Sequence, residues 1–104
     1  YKRQGIADLN YGSITACWFD GTLKDYESGA IVRFNYNTIT SCYWGGNAER
    51  GEFRNFGGTV DATKVDGATV KWQTAVDGMN IALTDNDYQW ALGTDGLPVL
   101  QKKQ

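Results

Sequence analysis

Residues 5–21 read GIADLNYGSITACWFDG, and residues 30–46 read AIVRFNYNTITSCYWGG. The two stretches align without a gap, and equivalent residues such as Cys17 and Cys42 are 25 positions apart. The identical pairs are Ile6/Ile31, Asn10/Asn35, Tyr11/Tyr36, Ile14/Ile39, Thr15/Thr40, Cys17/Cys42 and Gly21/Gly46. A fixed period of about 20–50 residues is typical of repeat architectures, in which each unit buries its apolar face against the next. We therefore expect equivalent residues, such as Ile14 and Ile39, to lie side by side on parallel, adjacent strands.

Each copy of the repeat is predicted to hold two strands joined by a turn. The predicted strands cover residues 5–10, 13–19, 30–35 and 38–44. Gly and Asn tolerate left-handed backbone, so we interpret Tyr11-Gly12 and Tyr36-Asn37 as the turns. Neither face of the second strand is wholly polar. Either both faces are partly covered, or the strand bends near Ala16 and Ser41.

The chain after the repeats changes its pattern twice. Residues 47–68 are glycine-rich and charged, which predicts a surface loop, with a strand around Glu52–Phe56, followed by an abbreviated third coil. Residues 69–104 are predicted to form a helix and a β-hairpin, with Thr69 as the helix N-cap and Pro98 on an edge strand. The apolar residues at helical spacing are Trp72, Ala75, Val76, Met79, Ala82 and Leu83.

These patterns together predict one mainly β domain over residues 1–104. The expected architecture is a short parallel β-solenoid of two to three coils, with the two 25-residue repeats over 5–46 at its centre. A solenoid must cover its last coil with a segment of different pattern. We therefore expect the helix and hairpin of residues 69–104 to cap the last coil.

The repeated pattern Asn-Tyr-Gly/Asn-Ser/Thr-Ile-Thr-x-Cys-aromatic resembles the GLUG motif of large bacterial surface proteins such as adhesins. That motif usually begins around Gly-Gly-Leu-Val-Gly, and here Asp8 and Arg33 stand where glycine is usual. The segments Trp72–Val76, Met79–Leu83 and Asp95–Leu100 resemble the closing segment of such arrays in surface proteins of gut-type Bacteroidetes. The resemblance covers residues 5–46 and roughly 58–101. It implies a secreted protein, located outside the cell or on the outer-membrane surface, with a role in cell adhesion.

Composition excludes several classes of function. The formal net charge is −2, which argues against a nucleic-acid partner. Apolar runs are too short to span a membrane, for which about 20 residues are needed. Because the chain begins with Tyr1 rather than Met, we expect it to be a piece of a longer protein, a module that acts as a monomer.

Catalytic chemistry is not indicated by the sequence. The chain contains no His, so Ser-His and Cys-His nucleophile pairs and most zinc sites are excluded. The segment Asp85-Asn86-Asp87 carries oxygen ligands that suit calcium, but it fails the EF-hand pattern and fits a helix end. We therefore predict no enzyme activity, no catalytic residues, no metal site and no cofactor.

The two cysteines leave two interpretations open. Equivalent residues on neighbouring strands lie about 4.8 Å apart, which permits a disulfide. In-register side chains on parallel strands point the same way, however, and their Cβ atoms are then farther apart than the roughly 3.8 Å of a bridge. Cys17 and Cys42 are therefore either a packed pair of free thiols or a disulfide.

The candidate ligand-binding residues are Tyr11 and Tyr36, because turn residues project from a repeat while strand residues fill it. Aromatic rings beside Asn and Asp also suit sugar binding. The predicted function is a non-catalytic repeat module for cell adhesion, with a glycan or a host or cell-surface protein as its partner. The alternative is a carbohydrate-binding module of a secreted glycan-degrading system. Clustering of both tyrosines on an exposed concave face favours the carbohydrate-binding alternative, whereas their burial favours a structural module.

Overall fold

The structure is a computed structural model, which describes residues 6–23 and 28–103. Nine strands and one helix lie in this part of the chain. In chain order they are β1 (Ala7–Asn10), β2 (Ser13–Thr15), β3 (Trp18–Gly21), β4 (Val32–Asn35), β5 (Thr38–Gly46), β6 (Glu52–Asn55), β7 (Thr59–Lys64), α1 (Trp72–Ile81), β8 (Tyr88–Leu92) and β9 (Pro98–Lys102).

The two sequence repeats pair in the predicted register. Strand β1 lies parallel to β4, and both β2 and β3 lie parallel to β5. Ile14 is opposite Ile39, so the 25-residue offset of the sequence is also the register of the sheet. This confirms that equivalent residues of the two copies lie side by side on adjacent parallel strands.

Of the two alternatives for the second strand of each copy, the structure shows the bend at Ala16 and Ser41. Ala16 has φ of 54° and Ser41 has φ of 52°, the left-handed region that residues other than glycine rarely adopt. In the first copy this bend separates β2 from β3. In the second copy the strand continues through it as β5, and the Ser41 amide donates a hydrogen bond to Asp61 Oδ2 on β7 (3.0 Å). The bend therefore lets side chains on both sides of it reach the interior.

The predicted β-solenoid of two to three coils is wrong, although the protein is mainly β. The parallel strands form two small sheets, one of order β1-β4-β6 and one in which β5 pairs with β2, β3 and β7. These sheets do not close into continuous coils, and the remaining sheet, β8-β9, is antiparallel. A third copy of the repeat, which contains β6 and β7 paired with β4 and β5, accounts for part of this difference. It is shorter, since Asn55 lies opposite Asn35, and its register shifts between Ile39 and Cys42.

The helix and hairpin form as predicted, but they do not cap the last strand. Ala75, Val76 and Met79 are buried on one face of α1. That face packs against a cluster that contains Ala16, Trp18, Tyr43 and Val65, which come from all three copies. The helix therefore lies across the four-stranded sheet, so the predicted end cap is wrong. Its N-cap is Lys71 rather than Thr69.

Hydrogen bonds tie the hairpin to both the helix and the sheet. The Asn80 side chain exchanges two bonds with the backbone of Trp90, at 2.9 and 2.8 Å. The Trp90 indole Nε1 donates to Ala16 O at 2.8 Å. Pro98 is the first residue of β9 and is opposite Leu92, which confirms its predicted place on an edge strand. A second core cluster, away from the helix, is built from Ala30, Ile31, Val32, Ile39, Cys42, Trp44 and Ala48.

Candidate functional site: an exposed aromatic ladder

Tyr11, Tyr36 and Phe56 form a stack of three nearly parallel rings on the protein surface. The ring centroids of Tyr11 and Tyr36 are 4.6 Å apart with an interplanar angle of 12°. Those of Tyr36 and Phe56 are 5.0 Å apart with an angle of 16°. Both spacings are close to the separation of neighbouring strands, about 4.8 Å. We call these three residues the aromatic ladder.

A hydrogen-bonded row of asparagines, in which Asn10 and Asn35 are buried and Asn55 is exposed, sets the position of the aromatic ladder. Asn10, Asn35 and Asn55 each come directly before a ladder residue. Asn10 Nδ2 donates to Asn35 Oδ1 at 2.8 Å, and Asn35 Nδ2 donates to Asn55 Oδ1 at 3.0 Å. Asn35 is fully buried, and its Nδ2 also donates to Asn37 O at 2.7 Å. A buried polar network with satisfied partners fixes local geometry, so the three turns are held in register and their aromatic side chains stack.

The 25-residue alignment correctly predicted that Tyr11 and Tyr36 lie side by side, but it did not include Phe56. Asn55-Phe56 repeats Asn35-Tyr36 with a 20-residue offset instead of 25. One extra residue then follows, because Thr59 is opposite Thr38. An alignment that allowed this gap would have found the third ring.

All three ladder residues are exposed, as a binding site requires. The exposed fractions are 65% for Tyr11, 39% for Tyr36 and 50% for Phe56. The middle ring is the least exposed because a neighbour covers each of its faces. Loss of surrounding water, and then the adjacent Tyr11 phenol, raise the pKa of Tyr36. The hydroxyl of Tyr36 is therefore neutral at physiological pH.

Arginines and further phenylalanines border the aromatic ladder. The Phe34 ring centroid lies 5.9 Å from that of Phe56 and 6.1 Å from that of Phe53. The guanidinium of Arg33 is 4.5 Å from the Phe34 centroid, and that of Arg54 is 5.0 Å from the Phe53 centroid. These distances are within the range of cation–π contacts. We call Arg33, Phe34, Arg50, Phe53 and Arg54 the arginine rim.

The two cysteines are not bridged in the structure, although they lie on neighbouring repeats. A hydrogen bond with Cys42 lowers the pKa of Cys17 to about 7, against the opposing effect of burial. The same pairing, together with burial, raises the pKa of the Cys42 thiol. Cys17 Sγ also lies 3.2 Å from Thr15 O. The pair therefore consists of one readily ionised thiol and one that stays protonated.

Asp85, Asn86 and Asp87 lie in the turn that follows α1, where Asn86 Oδ1 accepts a hydrogen bond from the Tyr88 amide (3.1 Å). Within residues 6–23 and 28–103, no three His, Cys, Asp or Glu side chains are grouped so as to hold a metal ion. The helix of this described part is too short and too polar to cross a bilayer.

Comparisons with known proteins give no match: no protein-family model, no curated protein and no solved structure is similar to this chain. The resemblance to the GLUG motif therefore stays a prediction.

Proposed function

We propose that this protein is a non-catalytic adhesion module of a secreted or cell-surface bacterial protein, and that it binds a protein partner through the aromatic ladder. The observation that supports this function is the exposed stack of Tyr11, Tyr36 and Phe56, held in place by a hydrogen-bonded asparagine row. The extracellular location and the adhesion role rest on the sequence resemblance. The choice of partner rests on the geometry of the rings.

The stacking favours a protein partner over a glycan at this surface. A sugar binds an aromatic side chain by laying its C–H groups on an uncovered ring face. Both faces of Tyr36 are covered by its neighbours, which leaves ring edges and the two ends of the stack for contact. Aromatic residues and Arg are enriched in the cores of protein–protein interfaces. The aromatic ladder with its arginine rim has that composition.

The fixed geometry of the ladder reduces the entropic cost of binding. Ordering a flexible side chain at an interface costs about 0.5–1.5 kcal/mol. Here the rings are already stacked in the free protein, so less of that cost remains. The surface is nevertheless small compared with stable interfaces, which bury about 1,200–2,000 Å² in total. We therefore expect weak binding by one module, and stronger attachment when several modules are displayed together.

Attachment of module-coated beads to cultured epithelial cells tests this function. We expect beads that carry the unaltered protein to attach, and beads that carry the variant Tyr11→Ala/Tyr36→Ala/Phe56→Ala to lose most of this attachment. Treating the cells with protease should abolish the attachment of unaltered beads, whereas removing cell-surface glycans with glycosidases should not. The triple variant should lose attachment because it lacks the aromatic contact surface. Its fold should be kept, because the substituted residues are exposed and their rings mainly contact one another.

Tyr88→Ala is the matched control, because Tyr88 is also an exposed tyrosine (46%) but lies on the hairpin, outside the ladder. Beads with this variant should attach like the unaltered protein. The proposal would be contradicted if the ladder variant attached normally, or if its melting temperature fell by several degrees while attachment was retained. In the second case the ladder would be a packing feature.

A further inference from the structure

A cleft of about 500 Å³ lies at the end of the four-stranded sheet opposite the ladder. Tyr36 precedes the first residue of β5, whereas the cleft begins at Gly45 near its last residue. Asp20, at the end of β3, also lines the cleft. The start of α1 supplies Lys71, Trp72 and Gln73. We call this feature the Trp72 cleft. Its volume falls within the roughly 300–1,000 Å³ of small-molecule sites.

Trp72 gives the cleft an apolar wall of fixed orientation. Its ring meets Trp18 edge to face, with centroids 5.3 Å apart and an interplanar angle of 71°. The contact immobilises the indole, while Trp72 remains only partly buried. Unlike the rings of the aromatic ladder, Trp72 has no ring stacked parallel to it among the described aromatic pairs.

A carboxylate and the indole converge over the same backbone position. A Cβ atom added to Gly45 would lie 2.7 Å from Asp20 Oδ1 and 2.9 Å from Trp72 Cζ2. Glycine at this position therefore lets both side chains approach the floor of the cleft. Four glycines line the cleft in all, which leaves backbone groups accessible to a ligand.

The loop that forms another wall is held by Asp66. Its Oδ1 accepts hydrogen bonds from the amides of Ala68, Thr69 and Val70, each at 2.9 Å. These bonds hold the pKa of Asp66 below its usual range. Asp66 therefore serves to shape the loop. The charged side chains of the lining are the Asp20 and Asp66 carboxylates and the Lys71 ammonium, so the cleft carries a net charge of −1.

We propose that the Trp72 cleft binds a neutral pyranose sugar. The apolar face of the ring would lie on Trp72, and its hydroxyl groups would bind the Asp20 carboxylate, the Lys71 ammonium and the Gln73 amide. An aromatic wall beside acceptors and donors matches both surfaces of a pyranose. The net negative charge of the lining favours a neutral sugar over a uronic or sialic acid, whose carboxylate it would repel. This site does not depend on the function proposed for the ladder, because different residues form it.

Titration of the whole protein with four methyl glycosides, those of glucose, galactose, mannose and N-acetylglucosamine, tests this site. We expect at least one to bind saturably, with a dissociation constant on the order of 1 mM. Binding should change tryptophan fluorescence and shift the amide NMR signals of Gly45, Gly67 and Gln73, but not those of Tyr11 and Tyr36.

Asp20→Asn and Gln73→Ala should each weaken this binding about fivefold, the effect of losing one hydrogen bond of about 1 kcal/mol. Both side chains are exposed, so the fold should be unchanged. Asp85→Asn is the matched control, because it removes an exposed carboxylate outside the cleft, and it should bind like the unaltered protein.

Three results would overturn the sugar site. The first is no saturable binding of any of the four glycosides. The second is tighter binding of methyl glucuronide than of every neutral glycoside. The third is binding that survives Asp20→Asn and Gln73→Ala but is lost in Tyr11→Ala/Tyr36→Ala, which would place the sugar on the ladder. None of these results decides whether the beads attach to cells through a protein, so the two proposals can fail separately.

Discussion

At the scale of single residues, the paired thiols give a testable pH dependence. The hydrogen bond with Cys42 lowers the pKa of Cys17 from 9.0 to about 7. Since the thiolate is the reactive form, alkylation of Cys17 by iodoacetamide should rise with pH through a midpoint near 7. Replacing Cys42 with Ala removes the hydrogen-bond partner and should move this midpoint upward toward the ordinary value. The rate of alkylation, followed by mass spectrometry across a pH series, measures the shift.

The variant Cys17→Ala serves as the control for that experiment. Its remaining thiol, Cys42, is 1% exposed, and burial still raises its pKa after the hydrogen bond with Cys17 is lost, so it should react slowly across the whole series. An unchanged midpoint for Cys17 in the Cys42→Ala variant would show that the thiol pair does not set its ionisation.

Single residues also show where inference from the sequence reached its limit. The alignment of the two repeats shows that Asn10 and Asn35 are equivalent and identical. It does not distinguish an exposed turn asparagine from a buried asparagine that bonds to its equivalent on the next strand. Burial distinguishes them, since Asn35 is fully buried and bonded on both sides. Asn55 and Phe56 were hidden because the third copy has a different offset. Two of the three exposed rings were therefore predicted, and the third was not.

At the scale of elements, Gly78 shows how the helix meets the sheet. Glycine inside a helix normally costs about 1 kcal/mol relative to alanine. Here a Cβ atom at position 78 would lie 1.9 Å from the Tyr43 hydroxyl oxygen and 2.7 Å from Tyr43 Cζ. Overpacking typically costs about 1–3 kcal/mol, which equals or exceeds the gain in helix propensity. We therefore expect Gly78→Ala to lower the free energy of unfolding, as measured by urea denaturation.

A second substitution separates the two effects at this contact. Tyr43→Phe removes the oxygen that approaches closest but leaves the ring, so it should restore only part of the stability lost in Gly78→Ala. Gly93→Ala is a milder comparison, because its nearest contact would be 3.1 Å, to the Val99 side chain. If Gly78→Ala proved more stable than the unaltered protein, helix propensity would outweigh the contact, and α1 would pack more loosely on β5 than the short distance between position 78 and Tyr43 indicates.

The helix also illustrates why the sequence predicted the elements better than their arrangement. Helical spacing correctly placed Ala75, Val76 and Met79 on the buried face. An amphipathic pattern shows which side of a helix is apolar, but it does not identify the surface that covers that side. The covering residues are Ala16, Trp18 and Tyr43, which lie about 30–60 positions away in the sequence. The helical pattern was therefore compatible with a cap on the last strand, but the contacts of α1 with the four-stranded sheet show that this prediction was wrong.

At the scale of the whole molecule, the pairing of strands between repeats and the closure of those strands into solenoid coils are separate properties. The 25-residue period set which residues lie opposite each other, and this part of the prediction was confirmed. A solenoid also needs each copy to follow the same path, and the shorter third copy does not. The interior is completed instead by α1 and the hairpin, which cover the face of the four-stranded sheet.

The stability of the parallel sheets should therefore depend on the C-terminal third of the chain. Deleting residues 70–104 removes α1 and the hairpin and uncovers Trp18, Tyr43 and Val65 on the sheet face. An uncovered apolar face beside open strand edges favours aggregation. We expect the fragment 1–69 to aggregate during purification and to show no cooperative transition in urea, whereas the full chain unfolds in a single step under the same conditions. Size-exclusion chromatography and denaturation followed by circular dichroism measure both properties. A monomeric 1–69 fragment with a sharp unfolding transition would contradict this prediction. It would show that the paired repeats form a stable core by themselves, and that the sheet face under the helix and hairpin can be exposed to water without aggregation.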